Sequence, residues 1–374
     1  MQQLSVDSCE PLEEYHLKNR LYLTGLMLLS ACNFSVDTET NEPDHPSADA
    51  TRLADTDPLH FADAKAGSTS FTETPVLRAQ VILDRLGFSP GVIDGEKGQS
   101  YDAALRAFQK AKGLDESGAL DQPTLAAMQA GREVAATRLV TIPAAFAKGP
   151  FFPDLPDGAA KQAELPELGY KNLMEALAER FHTTPETLIA LNSRDTKIGA
   201  GKVIRVPNIA DVSPLADQDD RGWSETLQKL GVASQQPTAS KLVVDKSEGV
   251  LRAYDDKGDL IGQFPATMGS GHDPLPIGTW KIQGVSRNPD FHYNPKLFWD
   301  VSDDKEAQLL PPGPNGPVGV VWIDLSKPHY GIHGTNAPHT IGRAESHGCV
   351  RLTNWDAARL AQMVKPGVEA VFQE

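Results

Sequence analysis

Basic residues, cysteines and long apolar runs are all scarce in this chain of 374 residues. Lys and Arg number 35 against 50 Asp and Glu, which gives a formal net charge of -15. That balance argues against nucleic acid as a partner, because phosphates would be repelled. The apolar run at 21–29 is too short to span a bilayer as a stable helix. Gly and Pro are plentiful, which is typical of a soluble protein with many loops, and the length predicts two or three domains.

One short stretch near the C-terminus combines the groups that acyl transfer by a thiol requires. Cys349 lies between His333 and His347 on one side and Arg351 on the other, and Gly348 precedes it directly. A thiolate is the nucleophile in such chemistry, and an imidazole helps it to form at neutral pH. A glycine lets the backbone approach a reacting carbonyl, so that its amide can donate to the oxyanion. The planar fork of an arginine fits a carboxylate.

This stretch resembles the signature of the L,D-transpeptidase family, whose catalytic domain is often called YkuD. The matching positions are His333, Gly334, Gly342, Arg343, Ser346, His347, Gly348, Cys349, Val350, Arg351 and Leu352. The resemblance implies that Cys349 is the nucleophile, that His333 is the base, and that the Gly334 carbonyl orients the imidazole. It also implies an oxyanion hole made by the amides around His347, Gly348 and Cys349. Ser346 and Arg351 would bind the substrate peptide, and no cofactor or metal is needed.

Two other interpretations of the same residues stay open at this point. A lone cysteine in an apolar run is most often a small buried hydrophobic residue. Histidine and thiolate are also zinc ligands, and several lie close together here, although their spacing matches no ordinary zinc pattern. The candidate ligands are His329, His333, His339, His347 and Cys349. We interpret His329 and His339 as surface or substrate-side residues without assigned chemistry.

Residues 1–32 resemble a lipoprotein signal peptide. Lys18 and Arg20 precede the apolar run, which ends in Leu29-Ser30-Ala31-Cys32, similar to the lipobox at which bacterial lipoproteins are cleaved and lipidated. The first sixteen residues are acidic, which a misassigned start site would explain. An ordinary buried helix is the alternative. Lipidation of Cys32 and removal of Cys9 would leave Cys349 as the one thiol, a candidate reactive group. Asn33 after the cysteine favours the outer membrane.

The residues that follow predict a tether and a small helical module. Acidic residues and prolines dominate 33–74, which predicts a disordered acidic linker. Apolar stripes of helical period then predict three helices over 75–130, with Asp121 as a candidate cap for the third. This region resembles the three-helix peptidoglycan-binding domain. Such a module would hold the enzyme near polymeric substrate without touching a reacting atom.

The middle region, 138–209, resembles a LysM domain, which is a glycan-binding strand-helix-helix-strand unit. An amphipathic helix over 173–181, a second helix over 185–191 capped by Thr184, and a strand at 201–207 carry the likeness. The first strand is predicted at 138–142, and a Pro-rich insertion separates it from the helices. Since the usual opening of the motif is absent, a structural spacer is an equal alternative.

Short strands separated by Gly and Pro turns predict a mostly-β sandwich over 239–373, after a second linker at 210–238. A long Pro-, Gly- and Asp-rich insertion at 285–317 has no predicted secondary structure, and we expect it to form a wall or lid over the thiol, with a solvated excursion as the alternative. Its aromatic face would consist of Phe291, His292, Tyr293, Phe298 and Trp299. One helix, capped by Thr353 or Asn354, closes the domain. The predicted fold class is therefore a multidomain α+β protein with the cysteine on the β-domain.

The resemblances together imply a periplasmic enzyme of the cell wall, anchored by lipid to the outer membrane. Its substrates would be peptidoglycan stem peptides, joined by 3→3 cross-links that affect cell shape. Alternative acyl acceptors are an outer-membrane protein, or water in a carboxypeptidase or hydrolase. An inactive peptidoglycan-binding or tethering protein is a further alternative, from a different functional class.

Overall fold

Residues 75–129 form three helices, as the apolar stripes predict. The computed structural model describes residues 57–65, 72–129, 134–210, 220–295, 306–342 and 348–374, so the proposed signal peptide and Cys32 lie outside the described residues. The helices are α1 (Pro75–Arg85), α2 (Gln99–Ala111) and α3 (Gln122–Gln129). Thr74 caps α1, and Asp121 accepts a hydrogen bond from the Thr124 amide at 2.9 Å, as expected for the third helix. Their shared core centres on Leu83, Leu105 and Phe108.

The middle unit has the predicted order of two strands around two helices. Strand β1 (Thr137–Thr141) pairs antiparallel with β2 (Val203–Pro207), while helices α6 (Leu173–Arg180) and α7 (Pro185–Asn192) lie between them in sequence. The insertion after β1 contributes two short helices, α4 (Ala144–Lys148) and α5 (Ala159–Gln162).

Part of the predicted disordered linker is ordered, which corrects the prediction for residues 57–65. The Thr141 amide donates to Ala62 and the Ala64 amide donates to Leu139, so this segment lies along the edge of β1. The Phe61 ring is buried at edge-to-face angles against Phe146 and Phe181. Burial of Leu59 and Phe61 offsets the acidic composition that favours disorder.

The predicted second linker is also wrong over part of its length. Residues 221–230 form helix α8 (Arg221–Leu230), which Asp220 caps and which Gly231 ends in a left-handed conformation. Trp223, Leu227 and Leu230 recur at helical spacing and are buried in the core of the C-terminal domain. This helix therefore belongs structurally to the domain that it precedes.

The C-terminal domain is built on one nine-stranded sheet and helix α9 (Asn354–Met363), and its strands follow the predicted Gly and Pro turns. Its strands are β3 (Lys241–Asp245), β4 (Val250–Tyr254), β5 (Leu260–Pro265), β6 (Thr267–Met268), β7 (Gly278–Arg287), β10 (Val321–Leu325), β11 (Gly331–His333), β12 (Val350–Arg351) and β13 (Glu369–Gln373). The spatial order is β5-β4-β3-β13-β7-β10-β11-β12-β6. The outermost strands, β5 and β6, are successive in the chain and separated by Ala266 alone. The sheet therefore curls round a single core until its edges approach one another.

The insertion at 285–317 is partly regular, which differs from the predicted unstructured loop. Strands β8 (Phe291–Tyr293) and β9 (Gln308–Leu310) pair antiparallel, while Phe298 and Trp299 lie outside the described residues. The residues that follow β9 contact the middle unit. The Leu168 amide donates to the Pro312 carbonyl, and the Asn315 amide donates to the Leu168 carbonyl.

The helical module is docked on the C-terminal domain rather than connected to it by a tether alone. The Ser89 amide donates to the Gln263 carbonyl, and the Gln263 amide donates to the Gly87 carbonyl, so the loop after α1 extends the sheet at β5. This contact covers a strand edge that would otherwise expose unpaired backbone groups.

A buried ion-pair network joins all three units at the same junction. Asp84 of α1 binds Arg359 of α9 through two contacts of 2.9 Å and binds His182 of the middle unit at 3.0 Å. Asp356 accepts a hydrogen bond from the Ser89 hydroxyl at 2.7 Å, and Trp355 stacks on His182. Burial alone would raise the pKa of Asp84, but Arg359 and His182 outweigh it and hold that pKa below its usual range.

Within the described ranges, no helix is long and apolar enough to cross a membrane.

Candidate active site

A parallel strand pair brings the two halves of the predicted motif together. Strands β11 and β12 pair with Ile332 opposite Val350 and His333 opposite Arg351. Cys349 immediately precedes β12, so its side chain lies at the end of the strand that neighbours the histidine strand. The structure therefore gathers Cys349, His333, Gly334 and Arg351 in one place.

The imidazole of His333 is buried and held by backbone. Its Nδ1 lies 2.7 Å from the Gly334 carbonyl oxygen, and since a carbonyl can only accept, the proton is on Nδ1. The Nε2 lone pair is thereby left available to take a proton. Trp322, paired with His333 across the sheet, stacks on the ring with centroids 5.6 Å apart.

Electrostatics keep this imidazole neutral. Burial, together with the nearby charge of Arg351, lowers the pKa of His333 to about 4, against the raising effect of the Gly334 hydrogen bond. The ring is therefore unprotonated at neutral pH, which is the state required of a general base.

The thiol of Cys349 is half-buried and protonated at rest. Its sulfur lies 3.9 Å from the His329 carbonyl oxygen. Burial raises the pKa of Cys349, while the backbone of Gly331 and the charge of Arg351 act in the opposite direction. Thiol and imidazole are therefore both uncharged at neutral pH, so a thiolate here would form by transfer of the thiol proton to a base.

Gly348 occupies a position that no other residue fits. Its φ of +92° lies in the left-handed region, and a Cβ there would lie 2.7 Å from the Tyr330 ring. The backbone at Gly348 is thus pressed against an aromatic wall beside the thiol. Ser346, His347 and Arg343 lie outside the described residues.

Several residues around the site were not identified from the sequence. Trp322 and Tyr330 are ordinary strand and turn residues in the pattern, so nothing marks them as neighbours of the histidine and of Gly348. Thr353 caps α9 by accepting a hydrogen bond from the Asp356 amide, whereas Asn354, the other cap candidate, is the first residue of the helix. His329 and His339 are exposed, as expected.

Among the residues that the structure describes, no group of three or more His, Cys, Asp or Glu is arranged to hold a metal ion.

Comparison with known proteins agrees with this geometry. The profile of the L,D-transpeptidase catalytic domain, YkuD, matches residues 239–372, and the profile described as "Putative peptidoglycan binding domain" matches residues 72–128.

A Bacillus licheniformis protein named "Putative L,D-transpeptidase YkuD" is 28% identical over 196 residues, which are 52% of this chain and 89% of that protein. A Bacillus subtilis protein of the same name is 56% identical over 59 residues, but the match covers only 16% of this chain and 36% of the relative. Among solved structures, the L,D-transpeptidase of Xylanimonas cellulosilytica aligns with a TM-score of 0.33 at 15% identity, covering 83% of this chain and 100% of that one. The chain therefore carries a catalytic domain of the L,D-transpeptidase family over residues 239–372 and a peptidoglycan-binding domain over residues 72–128.

Proposed function

We propose that this chain joins peptidoglycan stem peptides by 3→3 cross-links, with Cys349 as nucleophile and His333 as general base. One observation carries the proposal: a half-buried thiol precedes a strand that pairs in parallel with the strand of a neutral, backbone-held imidazole. This arrangement lies within the domain that matches the L,D-transpeptidase family.

In the first half-reaction, His333 Nε2 takes the proton of the Cys349 thiol as sulfur attacks the carbonyl between the third and fourth stem residues. The C–N bond then breaks, and the departing amine of the terminal D-residue takes the proton from the imidazole. In the second half, an acceptor amine gives a proton to His333 Nε2 and attacks the thioester carbonyl. The C–S bond then breaks, and the departing sulfur takes that proton from the imidazole to restore the thiol.

The remaining predicted roles fit the electrostatic demands of these steps. The amides at His347, Gly348 and Cys349 would donate to the oxyanion, and a positive φ at Gly348 supports such a turn. Arg351 and Ser346 would hold the substrate peptide, and Arg351 is half-buried beside the thiol.

The acceptor in the second half-reaction distinguishes the alternatives. A neighbouring stem gives a cross-link, a lysine of an outer-membrane protein gives a protein attachment, and water gives a carboxypeptidase or hydrolase. An inactive tethering protein would need none of these groups, and the presence of Cys349 beside a neutral His333 favours an enzyme.

Mass analysis of the products formed from a soluble tetrapeptide stem fragment tests this function. We expect a cross-linked dimer that lacks one terminal D-residue, and no product from Cys349→Ala. A trimmed monomer alone would establish hydrolysis, whereas no product from the wild-type protein would contradict an active enzyme.

The proposal also covers the middle unit and the signal peptide. We infer that residues 138–209 form a LysM-like glycan-binding unit, since the order and pairing of their strands and helices match that expectation. The lipobox at Cys32 supports a lipid-anchored, periplasmic protein of the outer membrane. Labelling with a fatty-acid analogue should give a band that disappears in Cys32→Ala, and no label on the wild-type protein would exclude the anchor.

A further inference from the structure

A second buried polar chain runs from the middle unit towards the catalytic histidine. Glu179 of α6 is only 6% exposed, yet both of its oxygens are used. One oxygen accepts from the Tyr170 hydroxyl at 2.6 Å, and the other accepts from the Asn354 amide at 2.8 Å. A buried carboxylate is costly unless it is satisfied in this way.

The side chain of Asn354 is fixed in one orientation. Its Nδ2 donates to Glu179 and to the Pro314 carbonyl at 3.1 Å, and its Oδ1 accepts from the Val320 amide at 3.3 Å. Since a carboxylate and a carbonyl only accept, the nitrogen must face them. The amide oxygen is therefore aimed at the opposite side.

On that opposite side, the Asn354 oxygen faces the backbone segment whose carbonyl binds His333. A Cβ at Gly334 would lie 2.2 Å from Asn354 Oδ1, and a Cβ at Gly319 would lie 1.9 Å from it. The amide is thus wedged between two glycines that meet it without side chains. The carbonyl of one of them, Gly334, is the group that binds His333 Nδ1.

We propose that Glu179 is a positioning residue for His333, acting through Asn354 and the Gly334 backbone. The inference rests on the proposed function, in which His333 is the base. It places part of the catalytic support outside the catalytic domain, on a helix of the middle unit. Removing Glu179 takes away the shortest of the three hydrogen bonds of the Asn354 amide and leaves the contacts of 3.1 and 3.3 Å, so Gly334 and the imidazole that it orients are held less firmly.

The variants Glu179→Ala and Glu179→Gln separate this role from a general contribution to folding. We expect Glu179→Ala to lower kcat roughly ten- to hundred-fold with little change in KM, because a misplaced base slows chemistry without weakening substrate binding. Glu179→Gln should retain most activity, since its oxygen can accept from Asn354 while its amide donates to Tyr170.

Glu175→Gln is the matched control. It removes a charge from the same helix, one turn earlier, where the side chain binds the Lys171 amide and Asn315 but not Asn354. Unchanged kcat is expected. Should Glu179→Ala fail to fold, Tyr170→Phe removes only the outer hydrogen bond and should lower kcat roughly three-fold, the worth of one such bond.

Alkylation of Cys349 supplies a readout that needs no stem peptide. Its rate, followed by mass spectrometry of the Cys349 peptide, should fall in His333→Ala and fall in the same direction in Glu179→Ala. A wild-type protein without transpeptidation but with this pattern would overturn the proposed function and leave the positioning role standing. Wild-type alkylation and kcat in Glu179→Ala, or in Tyr170→Phe if the former is unfolded, would overturn the positioning role.

Discussion

At the scale of single residues, the candidate site keeps its proposed nucleophile and base uncharged at neutral pH. Burial lowers the pKa of His333 to about 4 and raises that of Cys349. A thiolate-imidazolium pair, which would need those two shifts in the opposite directions, is therefore disfavoured. The same burial makes the base tolerant of mild acid.

We predict the pH dependence of Cys349 alkylation from these shifts. His333 is a base only above its pKa, so its help is lost as pH falls through about 4. Above that pH the assisted reaction of the neutral thiol does not depend on pH, so the wild-type alkylation rate should stay nearly level from about pH 5 until the thiol ionises, whereas the rate of His333→Ala should rise about tenfold per pH unit with the thiolate fraction. A wild-type rate that rises with pH as steeply as that of His333→Ala would contradict the prediction.

We also predict that Cys349→Ser loses nearly all turnover and keeps the wild-type melting temperature. An alcohol is a far weaker nucleophile than a thiol at neutral pH, and the exchange changes little volume. Turnover of the stem fragment and thermal unfolding, measured on one preparation, check both halves. Retained activity in a folded Cys349→Ser protein would remove the cysteine from its assigned role.

The residues of the candidate site could be found from the sequence because their signals are local. His333, Gly348, Cys349 and Arg351 lie within one short stretch whose residue types have few alternative uses together. Glu179 could not be found in this way, because it is an ordinary polar residue on an amphipathic helix and its partner, Asn354, is 175 positions away. Tertiary packing alone makes it buried.

At the scale of elements, helix α8 and the segment 57–65 account for the disagreement with the two predicted linkers. Composition makes 210–238 resemble a linker, although Trp223, Leu227 and Leu230 recur at helical spacing. Residues 57–65 are too few for such a period to appear, and their order depends on β1. A short segment that is ordered only by its contacts with a neighbouring element cannot be told from a disordered linker by its amino-acid composition.

We predict that Leu227→Ala destabilises the protein by roughly 2–5 kcal/mol, as expected for a cavity in a core. Leu227 is 1% exposed and lies in the core of the C-terminal domain. Urea unfolding measures the change in the free energy of unfolding. The control is Glu225→Ala at an exposed position of the same helix, which should destabilise the protein by less than about 1 kcal/mol. If both variants destabilise the protein by the same small amount, α8 does not contribute to the core of the C-terminal domain, and the prediction is wrong.

We predict a substantial loss of stability when the single charge of Asp84 is removed from the junction of the three units. Asp84→Ala removes the carboxylate that Arg359 and His182 share and leaves Arg359 its longer contact of 3.4 Å with Asp356; breaking such a buried pair costs roughly 3–5 kcal/mol. The surface pair of Lys246 and Glu374 is the control, where Glu374→Ala should be nearly neutral. A stability close to that of the wild type would show that the junction is loosely held.

At the scale of the whole molecule, the peptidoglycan-binding module is part of the folded body. The sequence predicts a module that acts by effective concentration alone. The backbone pairing at Gln263 and the Asp84 network instead make it a cover for the edge of β5. Asp84 and Arg359 are 275 positions apart in the sequence, so no local sequence pattern predicts their contact.

Deleting residues 72–129 should therefore reduce turnover even on a small soluble stem fragment, and should lower soluble yield, because β5 becomes an open edge. Scrambling residues 33–56 at fixed length is the control and should leave both unchanged. Full turnover by the deletion variant on the small fragment would restore the picture of an independent module.

The covered edge also sets an order for assembly during synthesis. A chain is made from its N-terminus, and domains generally fold as units in that order. Helix α1 and the Gly87–Ser89 loop therefore exist before β5 leaves the ribosome, so the sheet edge meets its partner as soon as it forms. Arg359 is made 275 positions after Asp84, so their ion pair can form only once α9 has left the ribosome. Among the helices that the structure describes, α9 is therefore made last and fixes α1 in place.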